Sequence, residues 1–498
     1  MRDRAIKGAF WSYGSYGVQF LIQAVALVVL ARQLGATDFG VFALGLMIVG
    51  IGEAVFQLSF GSAIVQLEHI TDEHIDVAWT SNVLFSLLAT AIMGAITWAF
   101  VGAGTQAWAT KGAVLAMLSS TLLTAFSSSG LLLLQRNLQT RDMVGIALTR
   151  VLLRYGGAIL LALWIRDFRA LIIAYLAGFA AEMAMSHYIA PRRSRFVWNG
   201  RIFRELFRFS GWLHLKKLSF WGGRYVDSFV VNALLGVASL GVYNRAFNLA
   251  SLPNNQALVL SFRVFAPLFA SARHEPERLA RLVRHAFNVT LLTTVPVLLV
   301  MMLHGETLIR MILGEKWSAA SGVLGVLSLG LLLRSLNDVQ AIALRAAGQP
   351  RFEFVISGVQ VAVTAATLVP AILWKGLAGA GYALVLGNVV AVVITERLMR
   401  GNVGISLRSQ GTTLAGVLAG AAAAWAVSRS VSFSYASITG ELTSAALELA
   451  AFFLVQVLVF LPARGGVLQT LWWAGHRLLE KTQRPAAGTL HPQRTFSA

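Results

Sequence analysis

Apolar runs of about twenty residues recur along the whole sequence, and this is the length a helix needs to cross a hydrocarbon core of roughly 30 Å. Hydrophobic residues make up 57% of the 498 residues and charged residues only 13%, a composition that excludes a soluble fold. The sequence has no cysteine, which excludes disulfides, thiolate metal sites and a cysteine nucleophile. The sequence therefore predicts an all-α polytopic membrane protein.

About fourteen apolar runs are bounded by glycine, proline or charge, and each predicts a transmembrane helix. Their predicted limits are 8–30, 40–58, 80–102, 114–134, 145–164, 171–189, 210–235, 241–262, 286–303, 319–343, 354–374, 378–396, 412–428 and 442–461.

The positive charges divide unequally between the predicted loops. With the N-terminus in the cytoplasm, inner segments hold 26 of the 41 Lys and Arg residues and outer loops hold 8. Cytoplasmic loops of membrane proteins carry an excess of Lys and Arg, so both termini are predicted to be cytoplasmic. Because orientation and attraction to lipid headgroups explain the basic loops, no nucleic-acid partner is expected.

An internal repeat relates two halves of the chain. Leu34-Gly35-x4-Gly40-Val41 recurs as Leu235-Gly236-x4-Gly241-Val242 at an offset of 201 residues. An even number of spans in each half predicts two parallel six-helix lobes, an arrangement found among secondary transporters. The predicted division is two lobes, two extra transmembrane helices and a cytoplasmic tail, at residues 1–200, 201–400, 401–465 and 466–498.

Charged residues lie inside several predicted spans, although each costs at least about 2.5–3.5 kcal/mol in hydrocarbon. The basic ones are Arg150, Arg154, Lys217, Arg224, Arg245 and Arg334. They come from both halves, so a shared cationic cavity between the lobes would accommodate them and would suit an anion such as a diphosphate headgroup. Two alternatives remain: Arg224–Asp227 and Arg334–Asp338 could be structural ion pairs within one helix, and Lys217 could snorkel to the interface.

Acidic residues within the spans are candidates for coupling transport to an ion gradient. They are Glu53, Asp227 and Asp338. Asp227 and Asp338 each lie near an arginine and could exchange that partner for H⁺ or Na⁺. Arg154 and Arg224, from opposite halves, are predicted to contact the diphosphate.

Motifs for enzymatic chemistry are missing from the sequence. It has no G-x4-G-K-[ST] loop for ATP and no H-E-x-x-H or D-x-D motif for a metal. The longest outer loop, about 304–318, has room for a short helix but not for a large external domain. We therefore expect neither an enzyme nor a cofactor, although an integral membrane polymerase or glycosyltransferase is the alternative from a different class.

Five segments resemble the polysaccharide transporter family of Wzx-type oligosaccharide flippases, and most closely its colanic-acid exporter branch. They are Leu30-Ala31-Arg32-Gln33-Leu34-Gly35-Ala36-Thr37-Asp38-Phe39-Gly40, Gly61-Ser62-Ala63-Ile64-Val65-Gln66, Arg208-Phe209-Ser210-Gly211-Trp212, Gly241-Val242-Tyr243-Asn244-Arg245-Ala246 and Leu313-Gly314-Glu315-Lys316-Trp317. The resemblance covers roughly residues 1–400.

This resemblance implies a flippase with two six-helix lobes around a cationic cavity. It would move undecaprenyl-diphosphate-linked oligosaccharide across the bacterial inner membrane by alternating access, for exopolysaccharide or O-antigen synthesis. A polysaccharide polymerase and a chain-length regulator would be its partners. Export of a drug or of a peptidoglycan lipid precursor is the alternative within the superfamily.

Overall fold

The computed structural model describes residues 2–101, 105–137, 139–190, 192, 194–260, 265–402, 411–430 and 438–460. All regular secondary structure in these ranges is helical, which confirms the predicted all-α class. The helices before residue 200 are α1 (Arg2–Gln33), α2 (Ala36–Phe56), α3 (Phe60–Gln66), α4 (Asp72–Phe100), α5 (Thr105–Ala125), α6 (Gly130–Arg136), α7 (Thr140–Val151), α8 (Gly157–Ile165) and α9 (Phe168–Ile189).

The second part of the chain continues the helical pattern. Its helices are α10 (Gly200–Leu260), α11 (Ala266–Ser271), α12 (Pro276–Leu303), α13 (Gly305–Ile312), α14 (Ser321–Ala346), α15 (Pro350–Lys375), α16 (Leu377–Asn402), α17 (Gly411–Ser430) and α18 (Ile438–Phe460). A π-helical turn, Leu152–Gly156, joins α7 to α8, and a 3₁₀ turn, Glu315–Ala320, joins α13 to α14.

Ten helices of the described ranges are long and apolar enough to cross a membrane, or eleven if the bent pair Ala107–Ala125 and Gly130–Arg136 forms one span. A polytopic membrane protein is therefore confirmed, whereas the count of fourteen stays a prediction. The segment 304–318, which has room for a short helix, contains α13.

The predicted span 114–134 is not one continuous helix, because the chain bends by 66° between α5 and α6. Serine side chains replace the lost helical hydrogen bonds at the bend. The Ser128 amide donates to Ser186 Oγ at 2.9 Å, and the Ser129 amide donates to Ser194 Oγ at 3.3 Å. Polar side chains of this kind satisfy the backbone of a broken span where no water is available.

The chain forms two compact units, each interrupted in sequence. The first contains residues 1–252, 304–333 and 351–394, and the second contains residues 253–303, 334–350 and 395–498. In the first unit α2 packs on α4, α5 and α9, and most of its residues are buried. In the second, α12 packs on α17 and α18. The division into lobes at residue 200 stays a prediction.

Both copies of the repeat place a glycine at a helix junction. Gly35 lies at the start of α2 in an extended conformation. Its counterpart Gly236 has φ 79° and ψ 176° and divides α10 into two helical parts. A positive φ disfavours any residue with a Cβ, so the second junction requires glycine.

The other repeat glycines hold the two copies together within the first unit. A Cβ on Gly40 would overlap the Val237 carbonyl, and a Cβ on Gly241 would overlap the Ala36 carbonyl. The contact is reciprocal, since residues 36 and 237 are themselves equivalent under the offset of 201 residues. A self-complementary contact of this kind is what a two-fold axis produces, and glycine lets helix backbones approach closely in membranes.

The segment that includes α13 and the 3₁₀ turn packs against this junction. Trp317 is fully buried, and its Nε1 donates to the Ala31 carbonyl at 2.8 Å. Lys316 Nζ donates to the Arg32 carbonyl at 3.0 Å, and Arg32 donates to the Met311 carbonyl at 2.6 Å. The Trp317 ring lies 5.5 Å from that of Phe39. Three of the five family-like segments therefore meet at one end of the first unit.

Candidate functional site

Arg154 lies in the π-helical turn between α7 and α8, within the apolar span Thr140–Ile165. Turns of this type interrupt α-helices rarely and often do so at functional sites. The Arg154 guanidinium lies 4.9 Å from the centre of the Tyr175 ring and 5.3 Å from that of Tyr155. Within the described ranges it has no ion pair with a carboxylate. Arg154 is therefore a cation held by aromatic faces, with its charge available.

Gly178 on α9 allows the facing helix to approach this turn. A Cβ at Gly178 would lie 3.0 Å from the Arg150 carbonyl oxygen and 3.3 Å from Arg154 Cβ. These distances are shorter than ordinary van der Waals contacts, so any larger residue would displace the turn that carries Arg154.

Tyr175 lies at the centre of a polar cluster in the first unit. Its side chain is 3% exposed, and its hydroxyl lies 3.3 Å from the Ser120 hydroxyl. Glu53 on α2 and Tyr225 on α10 are both close enough to interact electrostatically with it. The structure thus brings Glu53 and Arg154, both predicted from sequence, to one buried tyrosine.

Arg245 is a second cation without a carboxylate partner in the described part of the chain. Its guanidinium lies 4.1 Å from the centre of the Phe39 ring, and Nη2 donates to Asn244 Oδ1 at 3.4 Å. Its Nε is buried and has no hydrogen-bond partner. Tyr155, next to Arg154 in sequence, is within electrostatic range of Arg245. Burying an unpaired cation costs several kcal/mol, so this arrangement is hard to explain by stability alone.

Asp227 is buried, and its carboxylate accepts hydrogen bonds from Tyr243 and Ser228. The Tyr243 hydroxyl donates to Oδ2 at 2.6 Å, while the amide and hydroxyl of Ser228 donate to Oδ1 at 2.6 and 3.3 Å. Tyr243 lies beyond the Gly236 junction, so this bond connects the two parts of α10. Asp227 thus lies buried in a span, and its predicted role in ion coupling stays a prediction.

Arg150, one turn before Arg154, is neutralised by an ion pair that the sequence did not predict. Its Nη1 lies 3.0 and 3.2 Å from the two carboxylate oxygens of Glu182 on α9. Arg150 also lies over the ring of Phe179 at 5.6 Å. Two arginines on one helix face therefore differ, since one is balanced by a carboxylate and the other is not.

The remaining predicted site residues lie elsewhere. Lys217 and Arg224 are on α10, but their side chains lie outside the described residues, as does the predicted Arg224–Asp227 pair. Arg334 and Asp338 are on α14, in the part that belongs to the second unit. Asn337, between them, accepts a hydrogen bond from the Thr395 hydroxyl at 3.3 Å. Glu448 on α18, for which the sequence suggests no role, accepts from Ser444 at 3.0 Å.

Three features of the cluster had no clear sequence signal. The π-helical turn cannot be read from hydropathy, because hydropathy does not distinguish a π-helical turn from an α-helical one. The tyrosines Tyr155, Tyr175 and Tyr225 lie on three different spans and meet only through folding. The Arg150–Glu182 pair joins residues 32 positions apart. In the sequence, only the charge of Glu182 within an apolar span indicates that this residue needs a partner.

The fold is shared with membrane transporters of known structure. Its structure superposes on the lipid II flippase MurJ in an inward closed conformation with a TM-score of 0.71 and 11% identity, covering 91% of this chain and 99% of that one. A multidrug resistance MATE family transporter of the MOP superfamily in an inward-facing conformation gives a TM-score of 0.60 at 14% identity, covering 78% and 94%. At such low identity these likenesses establish the fold alone.

The sequence matches a family profile described as polysaccharide biosynthesis protein over residues 29–322, more than half of the chain. This chain belongs to that family. It is 23% identical to the lipopolysaccharide biosynthesis protein WzxC of Escherichia coli, with 68% of this chain and 69% of the relative covered. It is 27% identical to the succinoglycan biosynthesis transport protein ExoT of Rhizobium meliloti, with 64% and 63% covered. The resemblance predicted from short segments is thereby confirmed.

Proposed function

We propose that this protein is a flippase that moves undecaprenyl-diphosphate-linked oligosaccharide units across the bacterial inner membrane for exopolysaccharide or O-antigen synthesis. The observation that carries the proposal is the pair Arg154 and Arg245, two cations within apolar spans and without carboxylate partners in the described residues. Family membership and the names of the relatives support the same class of cargo.

The chemistry of such a cargo fits the charge of the cluster. A diphosphate resists transfer into hydrocarbon, and arginine forks bind its oxygens by charge-assisted hydrogen bonds. The two arginines come from different halves of the sequence, so they offer charge from two sides. Buried tyrosines beside them provide hydroxyl groups and ring faces for the adjoining sugar. The polyprenyl chain would remain in the lipid.

Alternating access supplies the physical step of the proposal. The reciprocal contact of Gly40 and Gly241, together with the packing of Trp317, closes one end of the first unit. In the predicted topology this end faces the periplasm. Release of cargo on that side requires the two repeat copies to separate there, and a contact made by glycine backbones has no side chains to disentangle.

Transport in this proposal is driven by an ion gradient rather than by chemistry within the chain. Asp227 is the first candidate, because its bond to Tyr243 would weaken on protonation or on binding Na⁺. Glu53 and Asp338 are the others. We propose no cofactor and no catalytic residue. A polymerase and a chain-length regulator would consume the delivered units.

Topology reporters test the proposed orientation. Fusions after Arg208 and after Ser318 should report opposite sides of the membrane, with the first in the cytoplasm. If both report the same side, one span has been miscounted and the closed end cannot be assigned to the periplasm.

Arginine substitutions test the role of the cluster. Arg154→Ala and Arg245→Ala should abolish or strongly reduce polysaccharide export at normal membrane abundance, because each removes charge-assisted bonds worth roughly 1.5–3 kcal/mol. Lysine at either position should restore export in part, since it keeps the charge and loses the fork. Arg150→Ala is the matched control on the same helix face, and it should reduce export least because Glu182 already neutralises that charge.

Binding of the carrier separates this proposal from its alternatives. Purified protein should bind undecaprenyl diphosphate, and the Arg154→Ala variant should bind it at least tenfold more weakly, as expected for the loss of 1.4 kcal/mol or more. Unchanged carrier binding in both alanine variants would refute the diphosphate role. Binding of a lipophilic cation in place of the carrier would instead favour drug export.

A further inference from the structure

A basic and aromatic segment, residues 195–209, connects α9 to the spanning part of α10. Four of its arginines are exposed, namely Arg195, Arg201, Arg204 and Arg208. Four aromatic side chains are exposed as well, with 66% of Phe196, 56% of Trp198, 46% of Phe207 and 37% of Phe209 accessible. The segment thus combines positive charge with large apolar surface over fifteen residues.

One face of this segment is fixed to the first unit. Ile202 and Leu206 are buried against a cluster that includes Phe60, Ile64 and Ile75. The Thr80 side chain donates to the Arg195 carbonyl at 3.2 Å and accepts from the Val197 amide at 3.1 Å. The segment is therefore held in place, and its other face is presented on a rigid support.

The arginines on the outward face lack carboxylate partners. Arg201, Arg204 and Arg208 follow the i, i+3, i+7 spacing that places residues on one side of a helix. None of the three has an ion pair within the described part of the chain. The nearby carboxylate of Glu205 lies instead 3.7 Å from His74 Nε2. Three guanidinium groups in a row are thus free to bind an external anion.

The position of the segment identifies that anion. It follows the spanning helix Phe168–Ile189 after a few residues, and α10 continues from it into the span Tyr225–Asn255. We therefore expect it near the boundary between hydrocarbon and headgroups. Aromatic side chains favour this interface, and each Lys or Arg near an anionic surface adds about 1 kcal/mol of attraction. Arginine forks match phosphate geometry.

We propose that the outward face of the segment 195–209 is a binding site for the phosphate headgroups of anionic phospholipids, with Arg201, Arg204 and Arg208 as its ligands and the exposed aromatic rings inserted beside them. The bound lipid holds the connection between α9 and α10 at the membrane surface. This site is separate from the cluster around Arg154 and does not depend on what the protein transports.

A second basic segment in the chain provides a matched control. Arg278, Arg281 and Arg284 on α12 are also exposed and share one helix face. Here Arg278 is paired with Glu275 at 2.9 Å, and no large apolar side chain is exposed between residues 265 and 290 of the described chain. Charge is therefore similar in the two segments, whereas exposed aromatic rings occur only in 195–209 and one of the three control arginines is paired with a carboxylate.

The experiment measures stabilisation of the full-length protein by lipid. Purified protein in a neutral detergent is titrated separately with three ligands: detergent micelles containing phosphatidylglycerol, detergent micelles containing phosphatidylcholine, and inorganic phosphate. Thermal unfolding is followed in each titration. Of the three, only phosphatidylglycerol should raise the unfolding temperature of the unsubstituted protein. The triple variant Arg201→Gln/Arg204→Gln/Arg208→Gln should need roughly tenfold more phosphatidylglycerol for the same shift. The control triple variant Arg278→Gln/Arg281→Gln/Arg284→Gln should respond like the unsubstituted protein.

Three results would overturn the proposal. Equal loss of response in both triple variants means that net charge, not this site, attracts the lipid. Equal stabilisation by inorganic phosphate means that the site binds a free anion. An unchanged response in the first triple variant means that these arginines do not bind lipid at all. If the first variant does not fold, Trp198→Phe in the unsubstituted background serves instead, since quenching of fluorescence by brominated phosphatidylglycerol must then fall.

Discussion

The two copies of the repeat share a backbone contact and differ in chemistry. Gly40 of the first copy lies against the Val237 carbonyl of the second, and Gly241 of the second copy lies against the Ala36 carbonyl of the first. At three positions that are equivalent under the offset of 201 residues, the second copy is polar and the first is apolar: Asp227 and Ala26, Tyr243 and Phe42, Arg245 and Leu44. The three residues of the first copy are buried in its core.

This difference separates the scaffold of the protein from its site. Close packing of two helices needs only small residues at the crossing, and both copies provide them. A charge in a span needs an additional reason, because it costs energy that packing does not return. The second copy therefore carries chemistry on a scaffold that the first copy shows to be stable without it. Exchanging residues between the copies tests this interpretation.

Exchange at the arginine position should give the largest effect. Leu44 is 4% exposed, so Leu44→Arg should lower the free energy of unfolding by about 3 kcal/mol or more. Arg245→Leu should leave that free energy unchanged or raise it, because a partly buried cation whose Nε has no hydrogen-bond partner is replaced by an apolar side chain. Thermal unfolding of the purified variants measures both. Equal destabilisation by the two substitutions would show that Arg245 is structural.

Alanine at the crossing glycines should come next. Gly40→Ala and Gly241→Ala each place a methyl group against a backbone carbonyl, so we expect a loss of about 2–3 kcal/mol in each case. Gly145 on α7 has open space around it, and Gly145→Ala should be neutral or stabilising by up to about 1 kcal/mol. Unfolding in detergent provides the comparison, and a large difference between the two crossing variants would contradict a reciprocal contact.

Removal of the Asp227–Tyr243 bond should have a smaller effect on stability. Asp227→Ala leaves a buried tyrosine hydroxyl without its acceptor and should cost about 1–3 kcal/mol, whereas Tyr243→Phe should cost about 1 kcal/mol. The double variant reproduces the apolar pair of the first copy and should cost less than the two single variants combined.

The same variants test whether export is coupled to an ion gradient. If Asp227 couples transport, export by Asp227→Asn should no longer depend on an imposed pH or Na⁺ gradient, while Tyr243→Phe should keep a weakened dependence. Full gradient dependence in Asp227→Asn would show that Asp227 does not couple transport to the ion, and it would leave Glu53 and Asp338 as the candidates.

The Arg150–Glu182 pair should give the smallest effect. Both side chains are partly exposed, at 36% and 19%, so solvent screening limits the value of the pair to about 1 kcal/mol. Arg150→Gln should destabilise the protein slightly and Arg150→Gln/Glu182→Gln less than the sum of the single changes. A double-mutant cycle measures the coupling, and a coupling energy of zero would show that the two charges do not interact in the membrane.

Much of the architecture followed from local properties of the sequence. A helix of about twenty apolar residues satisfies its own backbone and matches the hydrocarbon thickness, so class and most spans can be predicted without any long-range information. The repeat glycines and the family segments were also visible. The continuous span 114–134 was wrong, because at the break the amides of Ser128 and Ser129 donate hydrogen bonds to Ser186 and Ser194, which lie on another part of the chain.

The sequence by itself thus determined that charges lie within the spans and which residues carry them. Only the tertiary structure decided their state: Arg150 is balanced by Glu182, Arg154 lies on tyrosine rings, and Arg245 has a buried nitrogen without a partner. The physical reason is the range of the two effects. Hydrophobicity acts on each segment separately, whereas the energy of a buried charge depends on neighbours brought to within a few ångströms by helices far apart in the chain.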